Sequence, residues 1–328
     1  VMLFGQLPFS GFYIPAMPWF VLGIYYAAAV SGNWMLEKKE WTPGRGYRFL
    51  IIAFFILALI VWYPLLISQR RVEVTFLDVG QGDSAYIHFP SGRNILIDGG
   101  KNYPRNMGRK VITPFLRSRG VDAIDMIIAS HADADHIGGL SEVVDNFFVK
   151  NFVEGPTKSD SAAYRKLKTV LNQWGVKQMR ISRGTEIRGF RKTRMKFLNP
   201  PVPPPSGWSK NDRSLVLLMS RGDADILFTG DAEAKAEYSM LSCDDLNDVE
   251  VLKVGHHGSG GGSTAKFLNR IKPELAVISV GERNSYGHPH SEVLKRLKEC
   301  RAKICRTDKN GAVILTIKEN TIFARTVK

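Results

Sequence analysis

Cysteine is scarce. Cys243, Cys300 and Cys305 are the only three in 328 residues, and no spacing among them resembles a zinc knuckle, so a thiolate-held metal is excluded. A disulfide framework is excluded too: Cys300 and Cys305 could pair only with suitable geometry in an oxidising compartment. No GxGxxG follows a strand-like run and no GxxxxGK[ST] occurs, which removes the two commonest phosphate cradles for nucleotides. No short internal repeat is present, so repeat architectures drop out. Charge is missing from two long stretches, Val1 to Leu36 and Phe49 to Gln69.

The second uncharged stretch, FLIIAFFILALIVWYPLLI, has about the 20 residues that cross a bilayer as a helix. The first contains YIPAMPWFVLGIYYAAAVSGNWM, with Tyr and Trp near its ends as in an aromatic belt. Transmembrane helices are therefore expected at about 13–35 and 49–67, giving a membrane segment 1–71 and a hydrolase-type domain 72–328. A cleaved signal peptide does not fit, because no basic region precedes the first run. Lys38, Lys39, Arg45 and Arg48 lie between the spans and only Arg70 and Arg71 follow them. The positive-inside rule then puts the hairpin loop in the cytoplasm and the following domain outside, in a multi-pass cell-membrane protein. Because Val1 opens inside an apolar run, the chain reads as the C-terminal part of a longer membrane protein.

Acidic residues are the minority, 31 Asp and Glu against 45 Lys and Arg, for a formal charge of +14. The densest basic stretch is RISRGTEIRGFRKTRMK, which includes Arg180, Arg191 and Arg194. Such a stretch suits a polyanion or anionic lipid heads, and equally a solvated hairpin.

From Val72 onward the periodicity is that of an α/β protein. VEVTFLDVG, SAYIHFP and NILIDGG read as strands, RKVITPFLRSRG as a helix, DAIDMIIAS as a buried strand and IGGLSEVVDNFF as a helix. After the proline-rich loop NPPVPPPSGWSKN the strands resume in SLVLLMS and ADILFTG, with AEAKAEYSML as a helix. Two strand-rich halves, each followed by helices, imply a sandwich with sheets inside and helices outside.

Chemistry concentrates where the buried strand meets the helix. In SHADADHIGG, His131, Asp133, Asp135 and His136 put two imidazoles and two carboxylates into six positions. Buried carboxylates need partners, and a divalent cation is the simplest shared one, so these four residues form part of a metal site. Asp98 in LIDGG, Asp231 in LFTGDA, and His256 and His257 in KVGHHGS follow other apolar strands. Strands of one sheet end at one edge, so these groups converge on the motif. Taken singly each has a plainer role, such as Asp231 capping a helix from Ala232.

The order HxDxDH, GD, HHGS on this strand pattern resembles the metallo-β-lactamase superfamily. FLDVGQGDS, LIDGG, NDRSLVLLM, ILFTGD, VLKVGHHGS and NSYGHPHSEVLKRL are further similar to the C-terminal domain of ComEC-type DNA-internalisation competence proteins. LPFSGFYIPAMPWFVLGIYY resembles the end of that family's membrane channel. This resemblance implies a four-layer αββα hydrolase attached to the rest of a DNA-transport channel, degrading the DNA strand that is not imported. It implies Asp135 and His136 on one metal, Asp231 bridging, His131 and Asp133 on a second, and His256 in preference to His257 as terminal ligand. Asp83 and His288 would stand at the pocket rim in catalytic roles, His288 as a phosphate contact or proton donor. Arg180, Arg191, Arg194, Asn211 and Asn284 would face substrate.

Two positions depart from the superfamily pattern: Asp133 stands where a histidine is usual, and Asn211 and Asp212 occupy a stretch that often supplies another. Oxygen ligands relax a zinc preference, so the expected cofactor is one or two divalent ions, Mn²⁺, Zn²⁺ or Mg²⁺. Paired divalent ions activate water for attack on phosphorus and stabilise the departing oxygen. Two other readings remain open: a hydrolase of the same fold acting on another phosphoester, such as a cell-wall phosphodiester, and a non-catalytic DNA-binding or gating module.

Overall fold

The apolar alternation that starts at Val72 becomes two facing β-sheets in the computed structural model of the chain. It describes residues 71–190, 192–318 and 320–328, with residues 23, 26, 27, 30, 48 and 51–56. Residues 51–56 are helical, and no helix among the described residues is long and apolar enough to cross a membrane. The spans expected at 13–35 and 49–67 fall largely outside the described residues. Arg71–Leu116 and Val121–Lys328 make one compact unit.

In chain order the first strands are β1 (Val72–Phe76), β2 (Ala85–His88), β3 (Asn94–Ile97), β4 (Ala123–Ile124), β5 (Met126–Ile128), β6 (Phe148–Val149), β7 (Asn151–Glu154) and β8 (Lys177–Arg180). Then come β9 (Glu186–Ile187), β10 (Arg194–Asn199), β11 (Val216–Arg221), β12 (Ala224–Phe228), β13 (Val251–Lys253), β14 (Leu275–Ile278), β15 (Lys303–Arg306), β16 (Ala312–Lys318) and β17 (Thr321–Val327). The first sheet runs β17-β16-β1-β2-β3-β5-β7-β8 and the second β15-β14-β13-β12-β11-β10-β9; β4 and β6 pair separately. Both sheets are mixed: β3, β5, β7 and β8 are mutually parallel, as are β12 to β15.

Helices α1 (Thr113–Ser118), α2 (Ala134–Ile137), α3 (Leu140–Asn146) and α4 (Ala162–Gln173) belong to the first half, and α5 (Ala234–Met240), α6 (Ala265–Ile271), α7 (Ser291–Glu299) and α8 (Thr307–Asn310) to the second. Side chains of period two decide the layers. Met126 and Ile128 of β5 enter the core between the sheets, where Phe76, Phe197 and Phe228 also lie, whereas Ile127 points outward to Leu116, Leu140 and Leu167 on helices. In the second sheet Leu217 and Met219 point inward, and Leu218 outward to Ala236, Leu268 and Leu297. The central strands of both sheets are thus buried on both faces, with helices outside.

Some local expectations shift. DAIDMIIAS is two strands split at Asp125, whose carboxylate accepts from Asn94 N at 2.9 Å and Lys150 Nζ at 2.8 Å. The helix after LFTGD starts at Ala234 with Glu233 as its cap position, which frees Asp231 from the capping role. All three cysteines are free, so Cys300 and Cys305 do not pair.

Candidate metal centre

The candidate ligands gather in the segments that follow the C-terminal ends of strands, Asp135 and His136 on α2 itself. Asp98 follows β3, the turn 129–133 follows β5, Asp231 follows β12, and His256 and His257 follow β13. In α/β sheets this edge is where ligand sites form. Two glycines allow the loops to approach. Gly82 has φ +136°, and an added Cβ there would collide with the Asp135 carbonyl, which also accepts from Asp83 N at 3.2 Å. At Gly139 a Cβ would collide with the Gly99 carbonyl and the Gly108 amide, locking HIGG against LIDGG. Asp98, His256 and His257 have φ of 58°, 44° and 54°. Left-handed backbone costs a non-glycine residue about 1 kcal/mol or more, and such residues gather at functional sites.

The side chains form one continuous cluster. His136 is fully buried; its Nδ1 lies 2.9 Å from Asp98 Oδ2, and its Nε2 3.1 Å from Asp231 Oδ1. His131 Nε2 is 3.8 Å from Asp231 Oδ2 and 3.6 Å from Asp133 Oδ2. His257 Nε2 is 3.3 Å from Asp135 Oδ2 and 3.8 Å from Asp231 Oδ2, while its Nδ1 faces the Ser279 carbonyl at 2.9 Å and Asp83 Oδ1 at 3.3 Å. Ligand atoms of His131, His136 and Asp231 all lie within 4.8 Å of one another, as do those of Asp135, His136 and His257, and those of Asp83, Asp231 and His257.

Two features fit this set to divalent cations. Asp83 Oδ1, His131 Nε2, His136 Nε2 and Asp231 Oδ1 are buried without a hydrogen bond, a cost that a shared cation removes. The electrostatics demand positive charge at the same place. Burial alone would raise the Asp231 carboxyl, but His136 and His257 beside it hold it well below the usual carboxylate range. Burial alone would lower the His136 imidazole, yet Asp231 and Asp98 raise it well above its ordinary value. His257 is likewise lowered by burial but pushed up to about 9 by Asp231, Asp83 and Asp135. Protons held there stand in for metal charge.

Several expected roles need correcting. Asp83 is not at a rim: it is 5 % exposed and ion-paired to the buried Lys253, because GQGD folds inward behind His257. His257, not His256, faces Asp135; the Nδ1 of His256 is 2.8 Å from Glu233 Oε1 and its Nε2 stays at the margin, 3.7 Å from Asp231. Arg194 belongs at the other end of its sheet, since Arg194 pairs in register with Ser220 and that in turn with Asp225, whereas Asp231 follows Phe228. There it meets Asp245 at 2.8 Å and Glu186 at 3.4 Å. Arg180 is at the correct sheet edge but is bound to Glu154 at 3.2 Å. Asn284 spends its amide on Gly281 and His288 carbonyls, holding the YGHPH turn. Arg191 lies outside the described residues. Asn211 stays beside the site, its Nδ2 3.2 Å from His256 Nδ1. His288 packs with ring centroids 5.5 Å from His256 and 6.4 Å from His257; burial, then those two rings, lower it to about 4.

The sequence profile of the metallo-beta-lactamase superfamily matches residues 77–282. The chain belongs to that superfamily. The mixed-sheet fold described above is the fold of that superfamily. The chain is 34% identical over 271 residues to ComE operon protein 3 of Bacillus subtilis, covering 79% of this chain and 34% of that protein. It is 31% identical over 276 residues to competence protein ComA of Neisseria gonorrhoeae, covering 82% and 35%, and 29% identical over 248 residues to recombination protein 2 of Haemophilus influenzae, covering 75% and 29%. The chain thus spans about a third of the length of these curated relatives, and its resemblance is to ComEC-type competence proteins. Within the superfamily site, Lys253 and Ser130 escaped the sequence reading. A lysine inside the apolar strand VLKV was the available signal, since lysine is almost never fully buried unpaired.

Proposed function

We propose that this chain hydrolyses DNA phosphodiesters with bound divalent cations and degrades the strand that is not imported during natural competence. The observation that carries the chemistry is the set of orphaned buried ligand atoms on His131, His136 and Asp231, delivered from separate strand ends to one point. The DNA substrate is supported by the competence names of the relatives and by the +14 charge, which favours a polyanion. In this reading residues 1–71 anchor domain 72–328 in the cell membrane with its site outside the cytoplasm, beside the rest of a transport channel.

His131, His136, Asp231, Asp135 and His257 would hold the cations, with Asp133 and His256 as peripheral donors. When bound, divalent ions supply Lewis-acid activation of water and charge neutralisation. The chain supplies the rest. Asp98 orients His136 so that Nε2 faces the cluster, and Asp83, itself compensated by Lys253, orients His257. The carboxylates would repel a phosphodiester, so cation occupancy is a condition for substrate entry. His288, neutral at pH 7, offers one N–H to a phosphate oxygen.

Asp231→Ala separates this reading from a non-catalytic one. Cleavage of labelled single-stranded DNA should fall to background while DNA binding persists. Equal cleavage by the variant would refute the assignment.

A further inference from the structure

A cavity of about 220 Å³ opens beside the cluster, with His131 and Asp133 in its wall. Its other walls come from the β7 end and the loop before α4. Phe152, Ile137 and the ring of Tyr164 make its apolar surface. Glu154 makes its polar end: Oε1 accepts from Tyr164 Oη at 3.3 Å, Lys168 Nζ at 3.1 Å and Arg180 Nε at 3.2 Å. The second oxygen, Oε2, takes none of these three bonds. Arg213, also in the wall, has a buried Nε without a hydrogen bond and no acidic partner among the described residues. At the mouth stand Lys158 and Lys210, both exposed, the latter 3.9 Å from Asp133.

We propose that this cavity is a nucleotide subsite that seats the base next to the phosphodiester at the cluster, with Lys210 and Lys158 on the backbone phosphates. The size suits one unit, because cavities for drug-sized ligands run to about 300–1,000 Å³. The apolar walls suit a base, and contact of that kind is indifferent to sequence. An open carboxylate oxygen accepts from amino groups, so Glu154 favours bases carrying an exocyclic amine, adenine, cytosine and guanine, over thymine. Arg213 donates to a base or sugar oxygen. The inference rests on the phosphodiesterase reading above, but the cavity binds a nucleotide whether or not the cluster turns it over.

The experiment uses the full chain with Mn²⁺ and two probes. Equilibrium dialysis with dAMP, dCMP, dGMP and TMP reads the cavity alone; turnover of dinucleotides against bis(p-nitrophenyl) phosphate, which has no base, reads its contribution to hydrolysis. Gly155→Val adds a branched side chain to the cavity wall, at a position where the nearest atoms to an added Cβ are 3.7 Å away. Expected are saturable binding of the monophosphates, weakest for TMP, at least tenfold weaker binding in Gly155→Val, and a dinucleotide kcat/KM that falls at least tenfold more than that for bis(p-nitrophenyl) phosphate. Glu154→Gln narrows the gap between TMP and the other three. Absent binding, or binding unchanged in Gly155→Val, overturns the subsite. If the wild type hydrolyses neither substrate, the hydrolase reading fails, and monophosphate binding lost in Gly155→Val still supports the cavity.

Discussion

Replacing Asp98 by Asn tests how the cluster is held ready for metal. Asp98 is 1 % exposed; one oxygen accepts from Ser130 N at 2.8 Å and the other faces His136 Nδ1 at 2.9 Å. Asparagine has the same shape and keeps the Ser130 bond through its carbonyl oxygen, which turns its NH₂ toward His136. A donor facing Nδ1 forces that nitrogen to accept, so the imidazole proton moves to Nε2, the atom aimed at Asp231 and the cation position. Losing an outer carboxylate of this kind costs about 10–100-fold in metal affinity, about 1.4–2.7 kcal/mol. Calorimetric titration of metal-stripped protein with Mn²⁺ and Zn²⁺ reads it, with circular dichroism to check the fold. Folded Asp98→Asn protein that binds both ions within twofold of wild type would refute the tautomer argument.

Other consequences follow from the same contacts. Lys253→Met removes the buried ammonium paired to Asp83 and leaves that carboxylate only the neighbouring imidazoles, so stability should fall by about 3–5 kcal/mol in denaturant unfolding, and Asp83→Asn added to it should recover part of the loss. In metal-stripped protein His257 titrates at about 9 against an ordinary 6.5. A raised histidine stabilises the fold fully below pH 6.5 and ceases to do so as pH climbs through 9, so Tm should drop over that window while metal affinity, which competes with the proton, increases; a flat profile for both would contradict this. Gly139→Ala drives a methyl into the Gly99 carbonyl and should cost about 1–3 kcal/mol, with a loss of metal affinity as the HIGG turn shifts.

The strand ends were legible because a run such as MII or DILF is apolar on both faces and stops at a turn residue, which placed Asp98, Asp231 and the histidine pair at one edge. The division of labour among them was not. Asp83 owes its place to Lys253, on a strand of the opposite sheet and 170 positions away in sequence, and His257 in turn faces Asp83. Likewise the basic stretch around Arg194 looked free because its carboxylate partners, Asp245 and Glu154, come from distant segments. Charge density along a chain does not say which charges are already spent. The cavity beside His131 was invisible for the same reason: its walls come from 129–137, 152–164 and 210–213.

The most direct test is to incubate the purified chain with 5′-labelled single-stranded DNA and each of Mn²⁺, Mg²⁺ and Zn²⁺ in turn. Cleavage that at least one ion supports and a chelator stops is the predicted result. Intact DNA with every ion, from protein that is folded and has bound the metal, would contradict the account.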